Sequence, residues 1–147
     1  MPIQTALVAL LVACHAALAV AQPPPAPPSA VFEHIQEAWR SGDADGVTRH
    51  CGEHKLSIGL PEVEPVGGRF SRSQSYYILK AYFETTRVQE FQFEHVREAE
   101  QGVRVALGLA SRRYRELGDG RIIRDRVLVA LAREGERWVL SEIRALR

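Results

Sequence analysis

The chain has 147 residues, with 19 Lys and Arg set against 18 Asp and Glu, for a formal net charge of +1. That balance excludes the strong one-signed field of a nucleic-acid binder, and two cysteines exclude a disulfide-built scaffold. Hydrophobic residues at 46 % supply enough apolar material for one ordinary core.

In chain order the first feature is a leader. A near-unbroken apolar run extends from Ala6 to Ala21, interrupted only by His15. Ala19-Val20-Ala21 puts small residues at the two positions a signal peptidase reads, and a Pro-rich tract starts at Gln22. The run is too short for a stable membrane anchor, so residues 1–21 read as a signal peptide and the protein as exported, periplasmic in a bacterium. Leu11-Val12-Ala13-Cys14 carries an alternative: it is similar to a lipobox, which would make Cys14 the lipidated N-terminus of an envelope lipoprotein. Apolar residues continue past Cys14 and favour cleavage after Ala21, so contact with a membrane is expected only if Cys14 is lipidated. Cleavage leaves Cys51 without an intramolecular disulfide partner. Residues 22–29 form an extended Pro-rich linker, and the domain occupies 30–147.

Within the domain, Val31, Phe32, Ile35, Ala38 and Trp39 recur at helical spacing, with Ser29 placed as N-cap. Asp43 caps a short second helix from Ala44 to Cys51, stopped by Gly52. Leu56, Ile58 and Leu60 alternate as a strand ended by Pro61, and Pro61 to Gly68 reads as loop. Ser71-Arg72-Ser73-Gln74 fits a capping box and opens a long helix, whose apolar stripe carries Tyr77, Ile78, Ala81 and Tyr82. From Val88 onward the period becomes two. Phe91, Phe93 and His95 share one strand face, as do Val103, Val105, Leu107 and Leu109, then Val127, Val129 and Leu131, then Trp138 and Leu140. Turn signals at Glu100-Gln101-Gly102, Gly118-Asp119-Gly120 and Glu134-Gly135-Glu136 join the four strands. The expectation is an α+β fold, a curled antiparallel meander wrapped around a long helix.

This order of elements resembles the nuclear transport factor 2-like (cystatin-like) superfamily, a cone-shaped α+β fold. Three stretches are similar to an exported bacterial family of unknown function on that fold. They are Trp39-Arg40-Ser41-Gly42-Asp43-Ala44, Phe70-Ser71-Arg72-Ser73-Gln74 running into Tyr77-Ile78-Leu79-Lys80-Ala81-Tyr82-Phe83, and Trp138-Val139-Leu140-Ser141-Glu142-Ile143-Arg144. The resemblance implies the fold; none of these stretches is a catalytic motif.

Strand parity nominates a pocket. If the faces of His95 and Asp125 line the cone, those residues meet Tyr77 and Tyr82 from the helix and Trp138 from the last strand, and Glu142 joins them unless a bulge near Ser141 turns it outward. In ketosteroid-isomerase-like members of the superfamily a pocket carboxylate moves a proton, so an isomerase or dehydratase acting on a small hydrophobic ligand is one reading. The leading reading is non-enzymatic: a small binding or assembly module with no cofactor, taking a small hydrophobic ligand or an envelope protein as partner and able to form a homodimer. A third reading uses Arg112, Arg113, Arg115 and Arg124, crowded on one hairpin with Arg121 and Arg126, as an anion-binding face toward envelope lipid. His50-Cys51-Gly52-Glu53-His54 matches H-x-x-E-H, but the helix stop at Gly52 makes the two histidines diverge, and no metal site is assigned.

Overall fold

The computed structural model describes residues 21–98 and 101–147; the leader up to residue 20, Cys14 included, lies outside the described residues. The elements are α1 (Pro28–Ser41), α2 (Ala44–Thr48), β1 (Leu56–Gly59), β2 (Gly68–Phe70), α3 (Arg72–Thr85), β3 (Thr86–Arg97), β4 (Val105–Glu116), β5 (Ile122–Glu134) and β6 (Arg137–Leu146). One sheet runs β2-β1-β6-β5-β4-β3. The expected meander β3–β6 is antiparallel throughout, and β1 joins it in parallel beside β6, so the sheet is mixed and six-stranded. The three residues of β2 gave no signal in the sequence because only pairing, Leu56 opposite Phe70, makes them a strand.

Local chemistry sets the helix ends. Ser71 accepts from the Gln74 backbone N–H while the Gln74 side chain accepts from the Ser71 N–H, a complete capping box. The Asp43 carboxylate accepts from the Gly46 N–H at 2.9 Å. Ser29 is not a cap: α1 begins at Pro28 with Pro27 before it, since proline fits a first turn whose N–H groups lack helical partners anyway. Gly42, at φ +69°, ends α1 in a left-handed conformation.

α1 and α3 have 14 residues each, but α1 buries Val31, Phe32, Ile35, Ala38 and Trp39 whereas α3 buries only Ser75, Leu79 and Tyr82. The buried stripe of α3 is therefore rotated from the expected one, and Tyr77 is 67 % exposed. α1 also covers the free edge of β3: the Gln36 amide oxygen accepts from the Phe93 N–H at 2.8 Å, and Arg40 Nε donates to the Phe91 carbonyl at 2.8 Å.

The two faces of the sheet differ from expectation on β4. Ala106, Ala110, Arg112 and Tyr114 are buried on the inner face, while Val105 and Leu107 are exposed on the outer one; Val103, expected on the same strand, lies before β4 and is also exposed. The large apolar residues lie outside because aromatic rings claim the inner space. A Cβ on Gly108 would sit 2.7 Å from ring carbons of both Phe32 and Phe93. Inward-facing Val127, Val129 and Leu131 of β5 follow the expected parity.

Candidate functional site

The five pocket residues proposed from sequence do not converge. A β-bulge between Phe93 and His95 inserts Glu94 and turns His95 to pair opposite Leu109, on the outer face, where it is exposed. Tyr77 points to solvent and packs edge-on against Tyr76, with ring centroids 5.2 Å apart. Trp138 is half-buried at the far end of β5 from Asp125, opposite Arg133, whose guanidinium lies 5.9 Å from its ring. Glu142 pairs with Arg144. Only Tyr82 and Asp125 point into the interior together.

What they meet there is Arg112. The antiparallel register places Arg112 directly opposite Asp125, and its side chain is fully buried. Arg112 Nε donates to Asp125 Oδ1 at 2.7 Å and Nη2 to Oδ2 at 2.6 Å, a two-point fork. Nη1 donates to the Tyr82 hydroxyl at 3.3 Å, and the guanidinium stacks on the Tyr114 ring with a 4.4 Å separation. Two further members close the cluster. Glu62, from the segment after β1, accepts from both Nη atoms of Arg112 at 3.4 Å and from the Tyr114 hydroxyl. Arg147, just beyond β6, donates to Glu62, to the Tyr114 hydroxyl at 3.0 Å and to Asp125 at 3.3 Å.

Electrostatics match this geometry. Burial disfavours the Arg112 cation, but the Asp125 hydrogen bond and the nearby Tyr82 and Glu62 outweigh it and raise its pKa above the usual arginine range. Burial and the hydrogen bond to Glu62 push the Tyr114 phenol up, and burial does the same for Tyr82. Both phenols thus stay protonated at neutral pH, and the two carboxylates of this cluster, Glu62 and Asp125, are both engaged by the arginines. Arg112 is consequently not a surface anion site. Of the other hairpin arginines named with it, Arg113 lies 3.9 Å from Glu90, while Arg115 and Arg124 are exposed. Neither Arg112 nor Glu62 was read correctly from sequence. Counting the antiparallel register back from the Gly118-Asp119 turn does place Arg112 opposite Asp125, whereas nothing in the sequence marks Glu62.

The interior behind the cluster is filled. Trp39 stacks on Phe91 with ring centroids 4.6 Å apart and touches Tyr82 at 5.5 Å; all three are fully buried. Clefts lie on the surface instead, among them one of about 780 Å³ lined by Glu53, His54, Arg104, Glu134 and Arg137. There Glu134 accepts from the Glu53 N–H at 3.0 Å and lies 3.0 Å from His54 Nδ1, which holds its carboxyl below the usual range. His50 faces the other way and stacks on His34 at 5.8 Å, because α2 already ends at Thr48. Burial of Cys51 pushes its thiol up to about 11, the value of an inert packing residue.

A model for a domain of unknown function, DUF4783, matches residues 32–145. Among curated proteins none matches the chain. Solved structures show the same fold at low identity. A DUF4783 protein from Bacteroides uniformis is 13 % identical, with TM-score 0.64 over 77 % of this chain and 93 % of that one. A putative calcium/calmodulin-dependent protein kinase type II association domain from Thiobacillus denitrificans is 13 % identical, with TM-score 0.61 over 86 % of this chain and 100 % of that one. An NTF-2 like protein of unknown function from Shewanella oneidensis is 13 % identical, with TM-score 0.56 over 80 % of this chain and 93 % of that one. An α+β fold of the nuclear transport factor 2-like type, matched by the family model over nearly its whole folded length, places this chain in the DUF4783 family.

Proposed function

We propose that the protein is an exported, non-enzymatic assembly module that pairs with a second copy of itself through the outer face of its sheet. The observation that carries this reading is an inversion on β4: the interior is filled by its own side chains, while this strand keeps its larger aliphatic ones on the outer face. Val105 and Leu107 on β4 are 46 % and 36 % exposed and lie in register with Ala132 and Ala130 of β5; Leu109 lies beside Leu128. Charged residues of both signs, Glu142 and Arg144, flank the strip on β6. A patch that carries both signs is complementary to itself under a two-fold axis, and a net charge of +1 does not oppose association. The neighbour from Thiobacillus bears the name of an association domain, which supports the same use of the fold. Separation of His95 from Asp125 disfavours the isomerase reading.

Sedimentation of the purified protein tests this directly. The expected result is a dimer that Leu107→Glu converts to a folded monomer; a monomeric wild type at micromolar concentration refutes the reading. Export is tested by mass spectrometry of the mature N-terminus. Gln22 there supports release, whereas an acylated Cys14 supports the lipoprotein alternative.

A further inference from the structure

Glu62 occupies a position built like a receptor for a carboxylate. Three of the receiving groups stand on regular structure, Arg112 and Tyr114 on β4 and Asp125 on β5, and the fourth, Arg147, directly follows β6. Asp125 alone already holds Arg112 by its fork and accepts from Arg147 Nε at 3.3 Å. Both guanidiniums are thus oriented without Glu62, and the contacts from Arg112 to Glu62, at 3.4 Å, are the long ones of the cluster. The charges agree. Two arginines against one aspartate leave a single positive charge, carried at the mouth of the cluster by Arg147, 47 % exposed, in front of the buried Arg112–Asp125 pair. An anion between Arg112 and Arg147 is favoured there by charge and by the three donors that converge on it.

Glu62 supplies that anion from a segment that belongs to no helix or strand. Between β1 and β2 the chain forms no ladder. Its own bonds are local, from Val63 N–H to the Leu60 carbonyl at 3.1 Å and from Glu64 N–H to the same oxygen at 2.7 Å. Val66 is 93 % exposed, Gly67 turns at φ +78°, and an unfilled cleft of about 380 Å³ lies against Pro61, Pro65 and Val66. We propose that the polar end of the sheet is a binding site for a small monocarboxylic acid, which takes the place of Glu62 on Arg112, Tyr114 and Arg147. The rings of Tyr82 and Tyr114 beside the guanidinium suit an acid with an aromatic or short aliphatic body. This site is separate from the outer face and stands whether or not the protein dimerises.

Benzoate is the probe, with benzamide as its uncharged counterpart, in calorimetric titrations and in NMR spectra that follow Arg112 Nε and the Tyr114 ring. Glu62→Ala is expected to bind benzoate about tenfold or more tighter than wild type, because self-occupancy leaves the wild-type site open only part of the time. Glu62→Gln keeps the side-chain volume, removes the competing charge and gives the same direction of change if the alanine variant folds poorly. Benzamide should bind neither, and adding Arg147→Ala should abolish the gain. Failure of both Glu62 variants to bind benzoate overturns the proposal. So does tight binding by the variants with Arg112 and Tyr114 signals that never move in wild type, which would make Glu62 a fixed structural plug. Sedimentation of the same samples keeps these outcomes separate from the dimer question.

Discussion

The two faces of the sheet obey opposite rules. The inner face of β4 carries Ala106, Gly108 and Ala110 and then, toward the turn, Arg112 and Tyr114; the outer face carries Val105, Leu107 and Leu109. Small residues lie inside because α1 and β3 bring Phe32, Phe93, Phe91 and Trp39 over the strand, and close packing leaves room for a ring or for a strand side chain but not both. Charge lies inside because the fork from Asp125, the Tyr114 ring and Glu62 compensate its desolvation. The lesson is that residue size and polarity on a strand do not by themselves tell which face is buried; the partner's side chains decide.

The largest way to break this contrast is at Arg112. Arg112→Ala leaves Asp125 and Glu62 as buried carboxylates without their main counter-charge, and a loss of about 3–5 kcal/mol is expected in urea unfolding. Arg112→Lys should recover only part of it, since an ammonium cannot make the two-point fork with Asp125. A loss below about 1 kcal/mol, the scale of exposed ion pairs, would mean that the cluster is solvated in practice.

How much of this was legible in the sequence follows from the same contrast. Most caps and turns were readable because their chemistry is local: the Ser71–Gln74 box, the Asp43 cap and the Gly118-Asp119-Gly120 turn stand where the residues indicated, whereas Ser29 was displaced as a cap by the helix starting at Pro28. The meander and its order were readable from the period of two, and Asp125 pointing inward followed from its parity with Val127. His95 was not readable, because one extra residue in a bulge reverses parity and Glu94 carries no mark of it. Arg112 was misread because a run of arginines beside a turn has the composition of a solvated hairpin. The fork exists only once β4 is laid against β5, and Glu62 reaches it from a segment 50 residues away in the chain.

Acid titration separates the buried side from the exposed one by a smaller margin. Burial, then the charges of His34, Arg49 and Arg137, lower the His50 pKa from 6.5 to about 4. The unfolded chain therefore takes up this proton first. The stability contribution is complete above pH 6.5 and is lost as pH falls toward 4; because His50 is only half-buried, solvent screening brings it to on the order of 1 kcal/mol. His50→Gln should flatten that limb of the stability curve, and a limb as steep as in wild type would remove His50 as the cause.

The finest test sets two adjacent residues against each other. Gly108 and Leu107 are neighbours in β4, one facing in and one facing out. Valine at 108 must place its Cβ where ring carbons of Phe32 and Phe93 lie 2.7 Å away, so α1 and β3 both have to retreat. The expected cost is about 1–3 kcal/mol, the range of overpacked cores. Leu107→Ala removes a larger apolar side chain, yet that side chain is 36 % exposed and belongs to no core contact. In the monomer its cost should stay within about 0.5 kcal/mol. Adding carbon at the glycine then destabilises more than removing it at the leucine, an order that hydrophobicity alone reverses. Measured at low protein concentration, the pair of values isolates folding of a single chain. Repeated at high concentration, an extra cost of Leu107→Ala is the outcome the proposed pairing of two copies predicts, since apparent stability of a dimer rises with protomer concentration, and an unchanged cost counts against that pairing.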